Sequence, residues 1–210
     1  MSAFDFKKEQ KDLYAPKKPS IIDIPKMTFI MIDGEGDPNT AEAYKNAVEI
    51  LYGLSYAIKM SKNSNNQPVG YFDFVVPPLE GLWRSKDDNF DIFNFNKSDF
   101  QWTSMLRQPD FVTESVFSQA KETFAKKKQN LDLSFARLCV FAEGLTAQIM
   151  HIGSYDDEPN TITKLNDFIA QNGYKLDFSE KRLHHEIYLG DPRKTAPEKL
   201  KTIIRHPIVN

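Results

Sequence analysis

The feature of this sequence that most constrains its fold is an internal echo between its two halves. An apolar run at 28–32 is followed by Asp37-Pro38-Asn39-Thr40, and a similar run at 149–152 is followed by Glu158-Pro159-Asn160-Thr161, 121 residues later. A second echo, Leu-Arg-Gln-Pro at 106–109 and Ile-Arg-His-Pro at 204–207, recurs after 98 residues. Echoes in the same order predict a duplicated unit whose loops differ in length, with chance recurrence as the alternative.

Each copy of the predicted unit contains a helix with one apolar stripe. The residues of the stripe recur at the spacing of an amphipathic helix. They are Tyr44, Ala47, Val48, Leu51, Leu54, Ala57 and Ile58 in the first copy, and Ile162, Leu165, Phe168 and Ile169 in the second. The first helix is predicted to end before the polar segment 62–68, and the second at Asn172-Gly173, where glycine allows a left-handed cap.

Strand-like runs flank both helices. They cover residues 21–24, 28–32, 71–76 and 100–106 in the first half, and 135–141, 149–152, 183–189 and 201–205 in the second. Each half therefore predicts the order β-β-α-β-β, with the shorter order β-α-β-β as a variant. Helices packed on one face of antiparallel sheets give an α+β fold.

The domain organisation follows from these halves. Residues 1–18 are expected to form an N-terminal leader and residues 19–210 a single domain. Half one spans 19–110, a linking helix covers about 111–130, and half two spans 131–207. The linking helix is predicted from the spacing of apolar residues, namely Val112, Val116, Phe117, Ala120 and Phe124.

Composition excludes several classes of protein. The 27 basic and 29 acidic residues give a formal charge of −2, so no strong positive field is available to displace the counterions of nucleic acid. No apolar run approaches the roughly 20 residues that a membrane span needs, and the chain begins without a secretory signal. One cysteine excludes an internal disulfide. We expect a cytoplasmic, soluble protein with neither a nucleic-acid nor a membrane partner.

The sequence lacks the motifs of several common kinds of functional site. The histidines lack the spacing of a metal site, and no phosphate-binding loop or dinucleotide fingerprint occurs, so we expect no metal and no cofactor. Cys139 lies in an apolar run and is predicted to be a buried, inert thiol. The acidic cluster Asp87-Asp88-Asn89-Asp91 lacks the glycine and the final glutamate of a calcium loop, which favours a solvated loop.

The most informative segment for function is the run at 183–189. In a strand, His184, Glu186 and Tyr188 point to one face, whereas His185 and Ile187 point to the other. Glu186 is then either an exposed or ion-paired residue, or a carboxylate in a groove. In a groove we expect it to be largely shielded from water, and burial would raise its pKa unless a nearby cation offset the effect. Such a carboxylate serves as a general base or as the counter-charge of a cationic ligand.

Aromatic residues form the second candidate constellation. Phe, Tyr and Trp make up 12% of the chain, and an excess of aromatics builds pockets for flat ligands as well as cores. We predict ligand-binding roles for Trp83, Trp102, Tyr188, Glu80 and Phe74. The alternative for both tryptophans is a place in the core. Tyr155 lies in a loop between a strand and a helix, where ligand groups often occur, although a packing role is the simpler interpretation.

Four motifs resemble those of the GyrI-like small-molecule-binding family. They are PPLEGLW at 77–83, LRQPD at 106–110, HIGSYDDEP at 151–159 and HHEIYLGDP at 184–192. The resemblance covers roughly residues 18–207, including APEKLKTIIRHP at 196–207. It is similar in particular to the stand-alone branch that contains cyclopropanoid cyclopropyl hydrolases.

The resemblance implies a fold and a site. The fold is a pseudo-twofold duplication with a ligand groove between the halves. In the regulators of the family a buried glutamate binds lipophilic cations, and the matching residue here is Glu186. In the hydrolase branch a glutamate and a tyrosine promote addition of water to an activated cyclopropane. The tyrosine is either Tyr155 or Tyr188, and the leader of about 18 residues is too short for a helix-turn-helix domain.

The sequence leaves three candidate functions open. The first is a hydrolase that detoxifies flat alkylating compounds by opening an activated cyclopropane, with Glu186 and Tyr155 as catalytic residues. The second is a binding module that sequesters lipophilic or cationic drug-like molecules without turnover. The third is a protein–protein inhibitor of the gyrase-binding type. The partner in the first two is an aromatic small molecule, and the oligomeric state stays open.

Overall fold

A computed structural model describes residues 2–63, 67–86 and 96–210 of the chain. The acidic cluster at 87–91 and part of the polar segment at 62–68 lie outside these ranges, so the predictions made for them stay predictions. Within the described ranges, no helix combines the length and the apolar composition needed to cross a membrane.

The described residues form a largely continuous antiparallel sheet that curls around its core. Its strands are β1 (Ser20–Ile24), β2 (Met27–Glu35), β3 (Leu79–Ser85), β4 (Phe100–Gln108), β5 (Arg137–Phe141), β6 (Gly144–Ile152), β7 (Lys175–Leu176), β8 (His184–Tyr188) and β9 (Lys201–Val209). Their order is β1-β6-β9-β8-β3-β4-β2-β5, with the short β7 paired to β9. The predicted α+β class is confirmed.

The strand order is symmetric with respect to the two halves of the chain. Exchanging β1 with β5, β2 with β6, β3 with β8 and β4 with β9 turns the order into its own reverse. The pseudo-twofold axis therefore passes between β3 and β8, which pair antiparallel at the centre of the sheet. The first strand of each half pairs with the second strand of the other half, β1 with β6 and β5 with β2. This exchange links the two halves on both sides of the axis, in addition to the β3–β8 pairing at the centre.

The helices are α1 (Phe6–Glu9), α2 (Lys11–Tyr14), α3 (Glu42–Met60), α4 (Glu114–Ala125) and α5 (Glu158–Gln171). The long helix of each half, α3 and α5, follows the second strand of that half, as the repeat predicts. Helix α4 lies within the segment where the linking helix is predicted, and Thr113 caps it by accepting a hydrogen bond from the Val116 amide.

One strand prediction is wrong. Residues 71–76 do not form a strand of the sheet; apart from an isolated bridge between Phe74 and Phe4 they are irregular. The third strand begins instead at Leu79, directly after Pro77 and Pro78. Proline has no amide proton to donate to a ladder, so the pair marks where sheet pairing begins.

The two faces of the sheet have different covers. Helices α3 and α5 pack on the face that carries Trp83 and Glu186, which we call the helix face. The segment 2–18, predicted as a leader, lies on the opposite face, which we call the N-terminal face. There Leu13 and Tyr14 are buried, and the Leu13 carbonyl accepts a hydrogen bond from Arg205. The leader thus contributes side chains to the core.

Gly34 allows the ring of Trp102 to pack directly against strand β2. A Cβ atom built on Gly34 would lie 2.2 Å from the ring of Trp102, which pairs with it across β2 and β4. We expect Gly34→Ala to lower the free energy of unfolding by about 1–3 kcal/mol, because the indole must shift in a packed core. Urea denaturation measures the loss.

Gly190→Ala is the matched control for this substitution. The nearest atom to its added Cβ is 3.5 Å away, an ordinary contact, so its effect should be small. Equal stabilities of the two variants would contradict the packing argument.

Candidate functional site

A large cleft lies between α3 and α5, with β3 and β8 as its floor. Its volume is about 1510 Å³. Aromatic side chains line much of it, namely Tyr44, Tyr52, Tyr56, Trp83, Phe100, Tyr155 and Tyr188. The cleft thus straddles the pseudo-twofold axis, and both halves contribute to its walls. A pocket of this size and composition suits a flat organic molecule.

A chain of hydrogen bonds fixes Glu186 on the floor of the cleft. Its Oε2 accepts a hydrogen bond from the Tyr188 hydroxyl at 2.6 Å, and its Oε1 lies 2.9 Å from Nε2 of His184. The Tyr188 hydroxyl in turn accepts a hydrogen bond of 2.9 Å from Nε1 of Trp83. Strand alternation brings these side chains together, because residues 184, 186 and 188 share one face and Trp83 pairs with His184.

Gly81 leaves room for this arrangement. It pairs with Glu186 across β3 and β8, between the two rings that support the carboxylate. A Cβ atom at this position would lie 2.6 Å from Nε1 of Trp83 and 3.2 Å from the Tyr188 hydroxyl. The glycine of the PPLEGLW motif is therefore a packing requirement of the site.

Glu186 is shielded from water yet stays ionised. Its side chain is 15% exposed. Burial alone would raise its pKa, but the hydrogen bonds from His184 and Tyr188 outweigh burial and hold the pKa below its usual value. The hydrogen bonds from His184 and Tyr188 thus supply the offset to burial.

Glu158 is a second carboxyl group at the same place, and the sequence analysis missed its role. It lies at the start of α5, is 6% exposed, and lines the cleft beside Glu186. Burial and the neighbouring Glu186 raise its pKa well above the usual value, so Glu158 holds a proton more readily than Glu186 does. The available signal was its position three residues after Tyr155, in a segment interpreted only as a helix start.

Tyr155 and Tyr188 have different environments. The Tyr188 hydroxyl is engaged on both sides, by Trp83 and Glu186. The Tyr155 ring packs edge-on against Tyr188 with centroids 5.7 Å apart, and no described residue hydrogen-bonds its hydroxyl. Burial, followed by the Glu186 charge, raises the pKa of Tyr155 to about 12. A protonated hydroxyl in the cleft is therefore available to a ligand.

Three predicted ligand residues lie away from this cleft. Phe74 is fully buried in the core, next to Phe4. Trp102 is 3% exposed and packs edge-on against Tyr44, with ring centroids 5.0 Å apart. It borders a separate depression of about 460 Å³. Glu80 is buried on the N-terminal face. Side chains alternate along β3, so residue 80 points away from the cleft when Trp83 points into it.

Glu80 belongs instead to a buried charge network around His185. One ring nitrogen of His185 lies 3.0 Å from Glu80 and the other 3.0 Å from Glu143. Arg205 extends the network, with its Nη1 3.4 Å from Glu143. Tyr14 of the N-terminal segment donates a hydrogen bond of 3.4 Å to Glu80. The network therefore joins the N-terminal segment to the underside of the strand that carries Glu186.

No described group of three or more His, Cys, Asp or Glu side chains is arranged to hold a metal ion. Cys139 is partly exposed on β5 rather than buried. His151 and His206 bond to side chains of α5, at Thr161 and Asn166, and so hold that helix on the sheet.

The charge of His185 should make stability fall at alkaline pH. Burial lowers the pKa of His185, but Glu143 and Glu80 outweigh it and raise the pKa to about 9. A raised folded-state pKa gives stability that is complete below the unfolded value of about 6.5 and is lost as pH rises to about 9. We expect the free energy of unfolding, measured with urea, to fall by roughly 2–4 kcal/mol over this interval.

His185→Gln is the comparison for this prediction, since it removes this titrating group and should make the slope shallower. The pKa of His206 is lowered by burial and by His184, so His206 affects stability only below pH 6.5, outside this interval. A wild-type stability that stays constant from pH 6.5 to 9 would show that His185 is not charged.

Substitutions of the two tryptophans should have different effects, one on stability and the other on ligand affinity. We expect Trp102→Ala to lower the free energy of unfolding by roughly 3–5 kcal/mol, as truncations in a core do. The affinity of the remaining folded protein for a flat probe such as 1-methylnaphthalene should be unchanged. Trp83→Phe should weaken that affinity, because it alters a wall of the cleft and removes the hydrogen bond to Tyr188.

Urea denaturation and titration with the probe, run on both variants, provide the measurement. If Trp102→Ala weakened probe binding as much as Trp83→Phe at equal folded fraction, the assignment of Trp102 to the core alone would be wrong.

Solved structures similar to this protein cover almost its whole length. An uncharacterised conserved protein from Listeria innocua is 49% identical and superposes with a TM-score of 0.92, over 98% of this chain and 100% of the other. A protein from the same organism described as a hydrolase is 47% identical, with a TM-score of 0.90 over 99% and 100% of the two chains. The C-terminal domain of EcmrR, at 13% identity and a TM-score of 0.55 over 92% and 98%, shares the fold.

The family model gives the same classification as the motifs. A comparison with curated proteins found no match. The model described as the GyrI-like small molecule binding domain matches residues 17–209, nearly the whole chain. With a duplicated α+β fold, a cleft on its pseudo-twofold axis and this match, the chain belongs to the GyrI-like small molecule binding domain family.

Proposed function

We propose that this protein is a hydrolase that opens the activated cyclopropane ring of flat alkylating compounds and so detoxifies them. The observation that carries the proposal is an ionised Glu186 held by two hydrogen bonds on the floor of an aromatic cleft. The 47% identical relatives described as hydrolases support a hydrolytic reaction. The resemblance of the four motifs to cyclopropanoid cyclopropyl hydrolases supports the substrate class.

The shape of the cleft suits a flat aromatic scaffold. Trp83 forms a wall above the floor, and Tyr44 lies beside it with ring centroids 6.0 Å apart. Tyr52 and Tyr56 stack on each other further along α3, at 6.5 Å. Aromatic rings bind flat ligands by stacking and edge contacts that need no particular hydrogen-bonding pattern. The scaffold would lie across these rings with its cyclopropane over Glu186.

The reaction needs only water and the residues of the floor. Glu186 takes a proton from a water molecule whose oxygen bonds to the terminal carbon of the cyclopropane. The strained carbon–carbon bond breaks, and its electron pair moves through the conjugated system to the carbonyl oxygen. Tyr155 donates a hydrogen bond to that oxygen, and the proton on Glu186 then passes to it. The product is a single ring-opened molecule that carries both an alcohol and an enol or phenol, and Glu186 is restored.

The proposed reaction requires little of the site beyond the positioning of a water molecule and a base. The ring strain of the substrate supplies driving force, so a held water and a base suffice. General-base assistance typically contributes about 10²–10⁴-fold to a rate. The role proposed for Tyr188 is to orient Glu186, since its hydroxyl is already bonded on both sides. Tyr155, whose hydroxyl has no bond to a described residue, is the candidate for contact with the substrate.

A binding module without turnover is the second candidate. The same cleft, with buried Glu158 and Glu186 among aromatic rings, would sequester lipophilic molecules without any chemical step. In that case Glu186 would act as a counter-charge or as a hydrogen-bond acceptor. Loss of turnover with retained binding in a Glu186 variant separates the two candidates.

Glu186→Gln tests the hydrolase directly. The substitution keeps the size of the side chain and removes its basicity. Incubation with a cyclopropane alkylator, followed by chromatography of the ring-opened product, should show a loss of about 10²–10⁴-fold in kcat. Affinity for a neutral flat probe should change little, because the ring walls of the cleft are intact.

Glu49→Gln is the matched control. This carboxylate lies at the rim of the same cleft, paired with Lys128 and 38% exposed, so turnover should be unaffected by the change. If wild-type protein released no ring-opened product, or if turnover survived in Glu186→Gln, the proposed reaction or its base would be wrong.

A further inference from the structure

A chain of hydrogen bonds leads from the cleft floor to the side of α5. Glu186 Oε1 lies 2.9 Å from Nε2 of His184, and Nδ1 of His184 lies 2.9 Å from Nε2 of His206. Nδ1 of His206 is 3.0 Å from Oδ1 of Asn166. His184 and His206 are both buried, whereas Asn166 is half-buried. The function proposed above uses neither His206 nor Asn166.

The positions of the protons in this series of hydrogen bonds follow from the residue at its far end, Asn166. Oδ1 of Asn166 can only accept, so His206 places a proton on Nδ1. Burial and the adjacent His184 lower the pKa of His206 well below its usual value, so His206 is neutral and its Nε2 is an acceptor. His184 must then donate from Nδ1. Because an ionised Glu186 also only accepts, His184 donates from Nε2 as well and carries both protons.

The charges on the floor then cancel. Glu158 and Glu186 are in contact and buried, and two adjoining carboxylates do not both ionise, so the pair carries one negative charge. The imidazolium of His184 balances that charge. The other titratable groups around the pair include the phenols Tyr44, Tyr155 and Tyr188, which stay neutral because burial raises their pKa. Asp156 also acts on Glu158, and its carboxylate is ion-paired with Lys97 at 2.8 Å.

We propose that the floor of the cleft has no net charge, because Asn166 and His206 hold His184 as an imidazolium, and that the cleft therefore selects neutral aromatic ligands over organic cations. This selectivity rests on the cleft being the ligand site of the proposed function. It deepens that function by naming the charge of the ligand. Asn166 and His206 act here as positioning residues, since neither touches the ligand.

Asn166→Leu is the variant that tests the proposal. Leucine removes the acceptor at the end of the chain, so the His206 proton can move to Nε2 and donate to His184. His184 then becomes neutral while keeping its hydrogen bond to Glu186, and the floor gains one negative charge. Asn166→Asp keeps an acceptor and is the matched control. Position 166 is half-buried on α5, and melting curves verify that both variants fold.

The first measurement is the proton count of His184. In ¹⁵N spectra of labelled protein at neutral pH, both ring nitrogens of His184 should be protonated in wild type and in Asn166→Asp. One should be deprotonated in Asn166→Leu. A wild-type His184 with a single proton would overturn the proposal, since the reverse orientation of the Asn166 amide makes the whole chain neutral.

The second measurement is binding of a neutral and a cationic probe of the same shape, 1-methylnaphthalene and N-methylquinolinium. Wild type should bind the neutral probe at least as tightly. In Asn166→Leu the affinity ratio should shift toward the cation by roughly tenfold, as expected for one uncompensated charge in a cleft of intermediate dielectric. A wild-type preference for the cation, an unchanged ratio in Asn166→Leu, or failure of both probes to bind would overturn the selectivity.

Neither measurement depends on turnover. Absence of ring opening would therefore overturn the proposed reaction and leave the charge of the floor as measured. Conversely, a neutral His184 in an active hydrolase would overturn only the inference about charge.

Discussion

The pairing of β3 with β8 is the interaction on which the rest of the structure depends. It joins the two halves at the pseudo-twofold axis, and its ladder runs from Leu79 and Tyr188 to Trp83 and His184. Without it, the sheet would separate into one part of four strands and one of five, and each part would gain an open edge. The cleft lies directly above this pairing, so the joint between the halves is also the floor of the site.

Two sets of charged groups occupy opposite faces of the same strand. In His184-His185-Glu186 each residue points away from its neighbour, so His184 and Glu186 face the cleft while His185 meets Glu80 and Glu143. Both sets are buried, and both satisfy their charges internally. Burial of ionised groups is tolerated only where partners and hydrogen bonds compensate for lost water. The N-terminal segment completes the lower set through Tyr14 and the Leu13 carbonyl.

The carboxyl pair gives the cleft its electrostatic character. Glu186 has two hydrogen-bond donors that hold its pKa low, whereas burial and the neighbouring Glu186 charge raise the pKa of Glu158. The difference between the two carboxyls comes from their partners, because both are buried. An aromatic cleft with one charged base and several neutral hydroxyls is suited to proton transfer from a held water. Our proposals about substrate and ligand charge depend on this arrangement.

The sequence by itself determined the class of fold and the place of the principal carboxylate. The repeated helix starts indicated the duplication, and strand alternation placed His184, Glu186 and Tyr188 on one face, because both signals depend only on local spacing. Only the tertiary structure determined which residues that are distant in the sequence lie in contact. Glu158 is 28 residues from Glu186 in the chain, and only the packing of α5 on the sheet brings the two carboxyls together. Glu80 and Trp102 depend on which face of a strand is covered by which helix, and a strand pattern alone does not contain that information. The segment at 71–76 has strand-like residues but no neighbouring strand to pair with in the sheet. Pairing between distant strands and burial of distant charges are properties of the folded chain, which is why they appear only in three dimensions.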